Sequence, residues 1–190
     1  MASPDASRWN ERYGASDPPT ELAPPEVVTT HLADVGEGYT ALDVASGWGD
    51  AGLFLATQGA STCLVDISTI ALDAAGERAR SLGVEVATSA VDLESEPVPT
   101  PPTGLWDAIT CVHYLDRALL PRLGKALAPG GRLVCAIATT TNLERHERPS
   151  IRFLLEPEEL PTLVPDMVVL HHSEGWRTNG THEAWLVATP

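Results

Sequence analysis

The segment Asp43-Val44-Ala45-Ser46-Gly47-Trp48-Gly49-Asp50-Ala51-Gly52 carries the residue types and spacing best suited to chemistry. Gly47, Gly49 and Gly52 satisfy the pattern GxGxxG, which follows an apolar run and precedes a helical pattern. Glycine lacks a Cβ, so such a loop lets its backbone approach a bulky ligand. Asp66 ends the next apolar run, near the distance expected of an acid that accepts hydrogen bonds from ribose hydroxyls. The combination predicts a site for a nucleoside-containing cofactor.

Two cofactor classes satisfy that pattern, a dinucleotide and S-adenosylmethionine. Asp43 stands before the glycines, where its charge repels a pyrophosphate and attracts a sulfonium or ammonium group. Val91-Asp92-Leu93 places a further acid at the end of a third apolar run, suited to accept from an adenine amino group. The chain also ends in a hairpin pattern rather than another crossover unit. These features favour S-adenosylmethionine, released as S-adenosylhomocysteine after methyl transfer. An NAD(P)-dependent oxidoreductase and a non-catalytic S-adenosylmethionine-binding protein are the alternatives.

Other reactive side chains lie further on. His113 and Tyr114 follow a fourth apolar run, and ligands of open α/β sheets bind beyond the carboxyl ends of strands. Both are candidate catalytic residues, with a backbone-bonded structural histidine as the alternative. Arg117 is expected in the first turn of the next helix, where a cation is unfavourable and calls for an anionic partner. Arg145, His146, Arg148 and Arg152 form a basic cluster in an acidic chain. They suit an anionic substrate, with a solvated loop or internal pairing with Glu144, Glu147 and Glu156 as the alternatives. His171 and His172 are adjacent on an expected strand, so they point to opposite faces and share no metal. Cys63, Cys111 and Cys135 each sit inside an apolar run and read as buried small hydrophobes; no metal site is expected.

The elements that position these residues alternate in period. Hydrophobic spacing, turn residues and caps predict helices over 4–14, 26–32, 49–58, 68–82, 116–127 and 156–163. Strands are expected over 40–45, 61–65, 84–91, 106–112, 132–138, 167–172 and 182–188, the last two joined by a turn at Asn179-Gly180. Residues 97–104 read as a proline-rich surface loop and 139–152 as a polar segment. Strands alternating with helices imply a mostly parallel sheet between helices, and the terminal hairpin is antiparallel.

The segments Leu42 to Gly49, Val65-Asp66-Ile67-Ser68, Val91-Asp92-Leu93, Trp106-Asp107-Ala108-Ile109 and Leu127 to Leu133 resemble the class I S-adenosylmethionine-dependent methyltransferases in order and spacing. The resemblance covers roughly residues 40–138. It implies an α/β, Rossmann-like fold with a seven-stranded sheet in order 3-2-1-4-5-7-6, strand 7 antiparallel. Ala45 departs from the glycine usual at that position. Trp9-Asn10-Glu11-Arg12-Tyr13, His113 to Arg117 and Pro149 to Pro157 look like the tellurite-resistance and thiopurine-methyltransferase-like branch. The resemblance implies cofactor contacts from Asp43, Ala45, Ser46, Gly47, Trp48 and Gly49 in the loop. Asp66 and Ile67, Asp92 and Leu93, and His113 follow at later strand ends. Trp9 and Tyr13, four apart on the first helix, are expected to form a lid, and Arg117, Arg145, His146, Arg148 and Arg152 to meet the substrate.

Length, charge and patterning bound the rest. The 190 residues fit one domain, divided into an N-terminal helical lid segment (1–33), a cofactor-binding core (40–138) and a substrate-side tail (139–190). Hydrophobic residues make up 43%, enough for a core. A net charge of −14 repels phosphate backbones, so a small-molecule substrate is expected and nucleic acid is not. Met1-Ala2-Ser3-Pro4-Asp5 lacks a basic start and apolar stretch, and no eighteen-residue apolar run occurs, so a cytoplasmic location with no membrane partner is expected. A monomer or a homodimer is expected.

Overall fold

A computed structural model describes residues 4–94, 96–99 and 104–190. The chain start read for a leader (residues 1–3) and the middle of the expected proline-rich loop (residues 100–103) lie outside the described residues. Five helices are described: α1 (Pro4–Gly14), α2 (Glu26–His31), α3 (Asp50–Thr57), α4 (Thr69–Ser81) and α5 (Leu120–Lys125). The strands are β1 (Thr40–Val44), β2 (Ser61–Asp66), β3 (Ala87–Ala90), β4 (Trp106–Val112), β5 (Leu127–Ala138), β6 (Val168–Trp176) and β7 (His182–Thr189). They form a seven-stranded sheet in order β3-β2-β1-β4-β5-β7-β6. β3, β2, β1, β4 and β5 run parallel, and β7 is antiparallel to both β5 and β6.

The period of two in the central strands sorts their side chains into two cores. Leu42, Val44, Ile109, Cys111, Leu133 and Cys135 pack on one face with Leu120 and Leu123 of α5. Ala41, Ala108 and Val134 pack on the other with Val27 and Val28 of α2 and Ala51 and Leu55 of α3. Leu53, Leu64, Leu72 and Ala75 join α3 and α4 to β2. Each fully buried leucine contributes about 2 kcal/mol of transfer free energy. α4 begins at the expected cap, where Ser68 Oγ accepts from the Ala71 amide at 3.2 Å.

Several boundaries differ from the pattern, each for a local reason. The helix expected over 116–127 is only α5. Asp116 Oδ1 takes the amides of Ala118 at 2.8 Å and Leu119 at 3.2 Å, and Pro121 has no amide to extend the helix backward. The helix expected over 156–163 is a 3₁₀ turn at Leu160–Leu163, because Pro157 and Pro161 interrupt the run and Glu158 has φ +60°. β5 begins at Leu127, not 132, through a register shift against β4 at Trp106/Ala108. β6 runs beyond 172 to Trp176. β3 is shorter than 84–91, and the 139–152 segment contains a 3₁₀ turn at Thr140–Glu144.

Candidate active site

β1 delivers the chain into the glycine loop, and three consecutive alternate positions there need left-handed backbone. Ala45, Gly47 and Gly49 have φ of +52°, +52° and +83°. A glycine meets that demand without Cβ strain, whereas Ala45 bears it. Gly52 serves a different need: a Cβ there would collide with Leu64 and sit 2.9 Å from Asp43 Cβ, so glycine lets α3 close onto the sheet. Four of the loop amides are satisfied internally. Ser46 donates to Val65 O at 2.9 Å, Gly47 to Asp66 Oδ2 at 2.9 Å, Gly49 to Ser46 O at 2.8 Å and Gly52 to Asp43 Oδ2 at 2.9 Å.

Asp43 is a correction to the sequence reading. It does not line the cleft and is 2% exposed. Its position in β1 turns it toward α3, where Oδ2 holds the Gly52 amide and Oδ1 accepts from Thr110 Oγ1 at 2.7 Å. Burial pushes its carboxyl up to about 6 against the pull of these hydrogen bonds. Gly49 also lies beneath the loop rather than at the cleft, with space for a Cβ closed by Leu64 and Ala75.

The remaining cofactor candidates converge on one cleft of about 240 Å3 at the carboxyl ends of β1, β2 and β4. Ala45, Ser46, Gly47 and Trp48 form one wall, Asp66 and Ile67 the next. Asp92 and Leu93 line it further along, and His113 and Tyr114 close the β4 side. Trp9 and Tyr13 cover it from α1. The Tyr13 ring meets Trp48 edge-on at 4.7 Å, and Asn10 Oδ1 accepts from Ser68 Oγ at 2.7 Å, pinning α1 over the β2 end. Burial and the nearby Asp66 charge push the Tyr13 phenol up to about 12.

Charge is the feature the motifs alone did not reveal. Asp5, Asp50, Asp66, Asp92 and Glu94 all line the cleft, with Arg8 as the one arginine. Burial raises the Asp66 carboxyl above its ordinary range, opposed by hydrogen bonds from the Ser68 and Gly47 amides. The Ser46 hydroxyl is buried without a partner in the protein. Arg78, also unforeseen, secures the loop from below: its guanidinium donates to Trp48 O, to Glu21 O at 2.9 Å and to Asp50 Oδ1 at 2.7 Å. Only its burial, invisible in a charged surface-helix pattern, would have singled it out.

His113 continues β4 with a left-handed backbone, φ +58°, while its amide donates to Ala136 O at 2.7 Å. Its Nε2 lies 2.8 Å from Oε1 of Glu183, a 3% exposed carboxylate on β7. Burial, with Asp116 and Glu94 nearby, drives the Tyr114 phenol well above its ordinary range.

The structure does not bring the expected substrate residues to this cleft. Arg117 lies before α5 rather than within it and forks onto Glu159 at 2.5 and 2.8 Å, the carboxylate partner its charge demanded. Arg145 stacks 3.8 Å above Trp176, and His146 bonds Gly180 O at 2.8 Å. Arg152 stacks 4.3 Å from Phe153, and Arg148 is exposed in the same segment. Arg145 and Arg152 stack on rings rather than take up the alternative of ion pairs with Glu144, Glu147 and Glu156. His171 turns to His31 and His172 to Glu158, on opposite sides of β6. Cys111 and Cys135 are buried and Cys63 half-buried, all as free thiols. No described helix is long and apolar enough to cross a membrane.

Comparison with known proteins agrees with this geometry. The family model described as a methyltransferase domain matches residues 41–131. A ubiquinone biosynthesis O-methyltransferase of Alkalilimnicola ehrlichii is 28% identical over 167 residues, covering 84% of this chain. The chain spans 64% of that relative's length. Among solved structures, TehB from Haemophilus influenzae aligns with TM-score 0.73 at 15% identity, over 97% of this chain and 66% of that one. The N-methyltransferase NodS from Bradyrhizobium japonicum, solved with S-adenosyl-L-homocysteine, aligns with TM-score 0.71 at 19% identity over 96% and 97%. A methyltransferase-domain model thus matches residues 41–131, and the sheet order is that of the Rossmann-like fold these solved structures share.

Proposed function

We propose that the chain transfers a methyl group from S-adenosylmethionine to a small-molecule nucleophile, releasing S-adenosylhomocysteine. The observation that carries this reading is the charge of the cleft. Asp66, Asp92 and Glu94 line it beside Asp5 and Asp50, which pair with Arg8 and Arg78, and the Ser46, Gly47, Gly49 and Gly52 amides already donate within the protein. Such a cleft attracts a cationic ligand and repels a dinucleotide.

The residues present fit that cofactor. Asp66 and Asp92 supply acceptors for ribose hydroxyls and an adenine amino group, between the apolar side chains of Ile67 and Leu93. The orphan Ser46 hydroxyl offers a donor and acceptor at the loop. Bound there, the cofactor supplies an electrophilic methyl on a sulfonium leaving group. The protein's part is to hold the acceptor in line and exclude water. α1, through Trp9 and Tyr13, acts as the cover.

The O-methyltransferase relative and the N-methyltransferase neighbour support a small-molecule acceptor. The test is release of S-adenosylhomocysteine by the purified chain across phenols, amines, thiols and chalcogen oxyanions. Methylation of any of them supports the reading. Oxidation of NADH or NADPH with no release of S-adenosylhomocysteine would replace it.

A further inference from the structure

We infer that Glu183 and His113 form a carboxylate–imidazole pair that takes the proton of the methyl acceptor, so the acceptor is a hydroxyl compound rather than a preformed thiolate. The inference rests on the methyl-transfer reading above.

The pair is assembled across three strands. His113 follows the last residue of β4, Ala138 of β5 pairs with Glu183 of β7, and the carboxylate reaches back across β5 to the imidazole. The left-handed turn at His113 takes its ring out of the β4 alternation and into the cleft wall. Histidine is among the few residues that accept such a backbone readily. The His113 side chain is 60% exposed, while that of Glu183 is 4% exposed. Thus the ring is open to the cleft and its partner is not.

Glu183 is organised around its charge. Oε1 accepts from Thr181 Oγ1 at 2.9 Å and faces His113 Nε2 at 2.8 Å, and Oε2 accepts from Trp185 Nε1 at 2.9 Å. Arg177, stacked 3.8 Å over the Trp185 ring, is the nearby cation and donates to the Glu183 carbonyl at 3.1 Å. Burial pushes the carboxyl up, but the hydrogen bonds from His113, Trp185 and Thr181 outweigh it and bring it down to about 2. A buried carboxylate that stays ionised fixes its imidazole with Nε2–H toward it, leaving Nδ1 as the ring's acceptor.

The step then balances. The acceptor hydroxyl gives its proton to His113 Nδ1 as its oxygen bonds to the methyl carbon. The carbon–sulfur bond breaks, and its electron pair stays on sulfur as the neutral thioether. Glu183 stabilises the resulting imidazolium, so His113 is the catalytic base and Glu183 its positioning residue. A thiolate needs no such base.

The test uses the full chain with S-adenosylmethionine and matched acceptors, phenol and catechol against benzenethiol. Glu183→Gln keeps a side chain able to bond Trp185 and Thr181 but removes the charge; His113→Gln, at an exposed position, removes the base. Each variant is expected to lower kcat on the hydroxyl acceptors at least about 100-fold, and Glu183→Gln, which lies behind the cleft wall, to change KM and benzenethiol turnover less than about 3-fold. Nitrogen-15 spectra of His113 in the S-adenosylhomocysteine complex should show the Nε2–H tautomer, lost in Glu183→Gln. Equal losses on both acceptor types, no loss on either, or a wild-type chain that binds the cofactor yet methylates no hydroxyl compound would overturn the inference. A wild-type chain that binds no S-adenosylmethionine in calorimetry would instead overturn the methyl-transfer reading.

Discussion

The carboxylate of Asp66 accepts the Gly47 amide at 2.9 Å while its other oxygen accepts the Ser68 amide at 2.8 Å. One side chain at the end of β2 therefore holds the glycine loop, caps the approach to α4 and faces the cleft. Asp66→Ala strips two buried amides of their acceptor and should destabilise the chain by about 2–4 kcal/mol. Asp66→Asn keeps an acceptor and should fold, yet weaken S-adenosylmethionine binding at least about 10-fold. Thermal unfolding and calorimetry on the two variants separate these effects.

Gly52 tests the packing of the loop. Gly52→Ala places a methyl group against Leu64 and Asp43, both held in the sheet. The cost should be about 1–3 kcal/mol, seen as a lower denaturation midpoint. Ala45→Gly relieves a left-handed alanine and should stabilise by up to about 1 kcal/mol, net of the freedom glycine gains when unfolded.

Asp43 should leave a signature in the pH dependence of stability. Its carboxyl stands near 6 in the folded chain against 3.8 for the ordinary group. Between those values the folded chain holds more protons than the unfolded one, so this residue's contribution falls as pH rises from 4 to 6. The full effect is on the order of 3 kcal/mol. Asp43→Asn, which can still bond Gly52 and Thr110, should abolish that slope in urea titrations across the window.

Arg117 distinguishes an internal ion pair from a substrate anchor. Its partner is Glu159, and its side chain is 45% exposed. Arg117→Ala should cost no more than about 1 kcal/mol and leave KM for the methyl acceptor unchanged. A KM raised tenfold or more would return Arg117 to the substrate site.

The sheet was legible because its strands are apolar runs punctuated by glycine, and β4 ends where the pattern ends, at Val112. α5 was overextended because apolar spacing continues through Asp116–Leu119, while the side-chain bonds of Asp116 compete with helix there. Asp66 and Gly47 were visible as motif residues. The direction of Asp43 was not, since one position in a strand decides which face it meets. Glu183 gave no signal at all: it sits seventy residues from His113, and only the order β4-β5-β7 brings them together. Arg145 and its neighbours looked like an anion site because sequence shows charge but not the aromatic ring beneath it.

Calorimetric titration of the purified chain with S-adenosylmethionine, S-adenosylhomocysteine and NADH tests the central claim most directly. The acidic cleft and its internally bonded loop predict saturable binding of the first two and none of the third. Binding of NADH alone would contradict the account and recast Asp66 and the glycine loop as parts of a dinucleotide site.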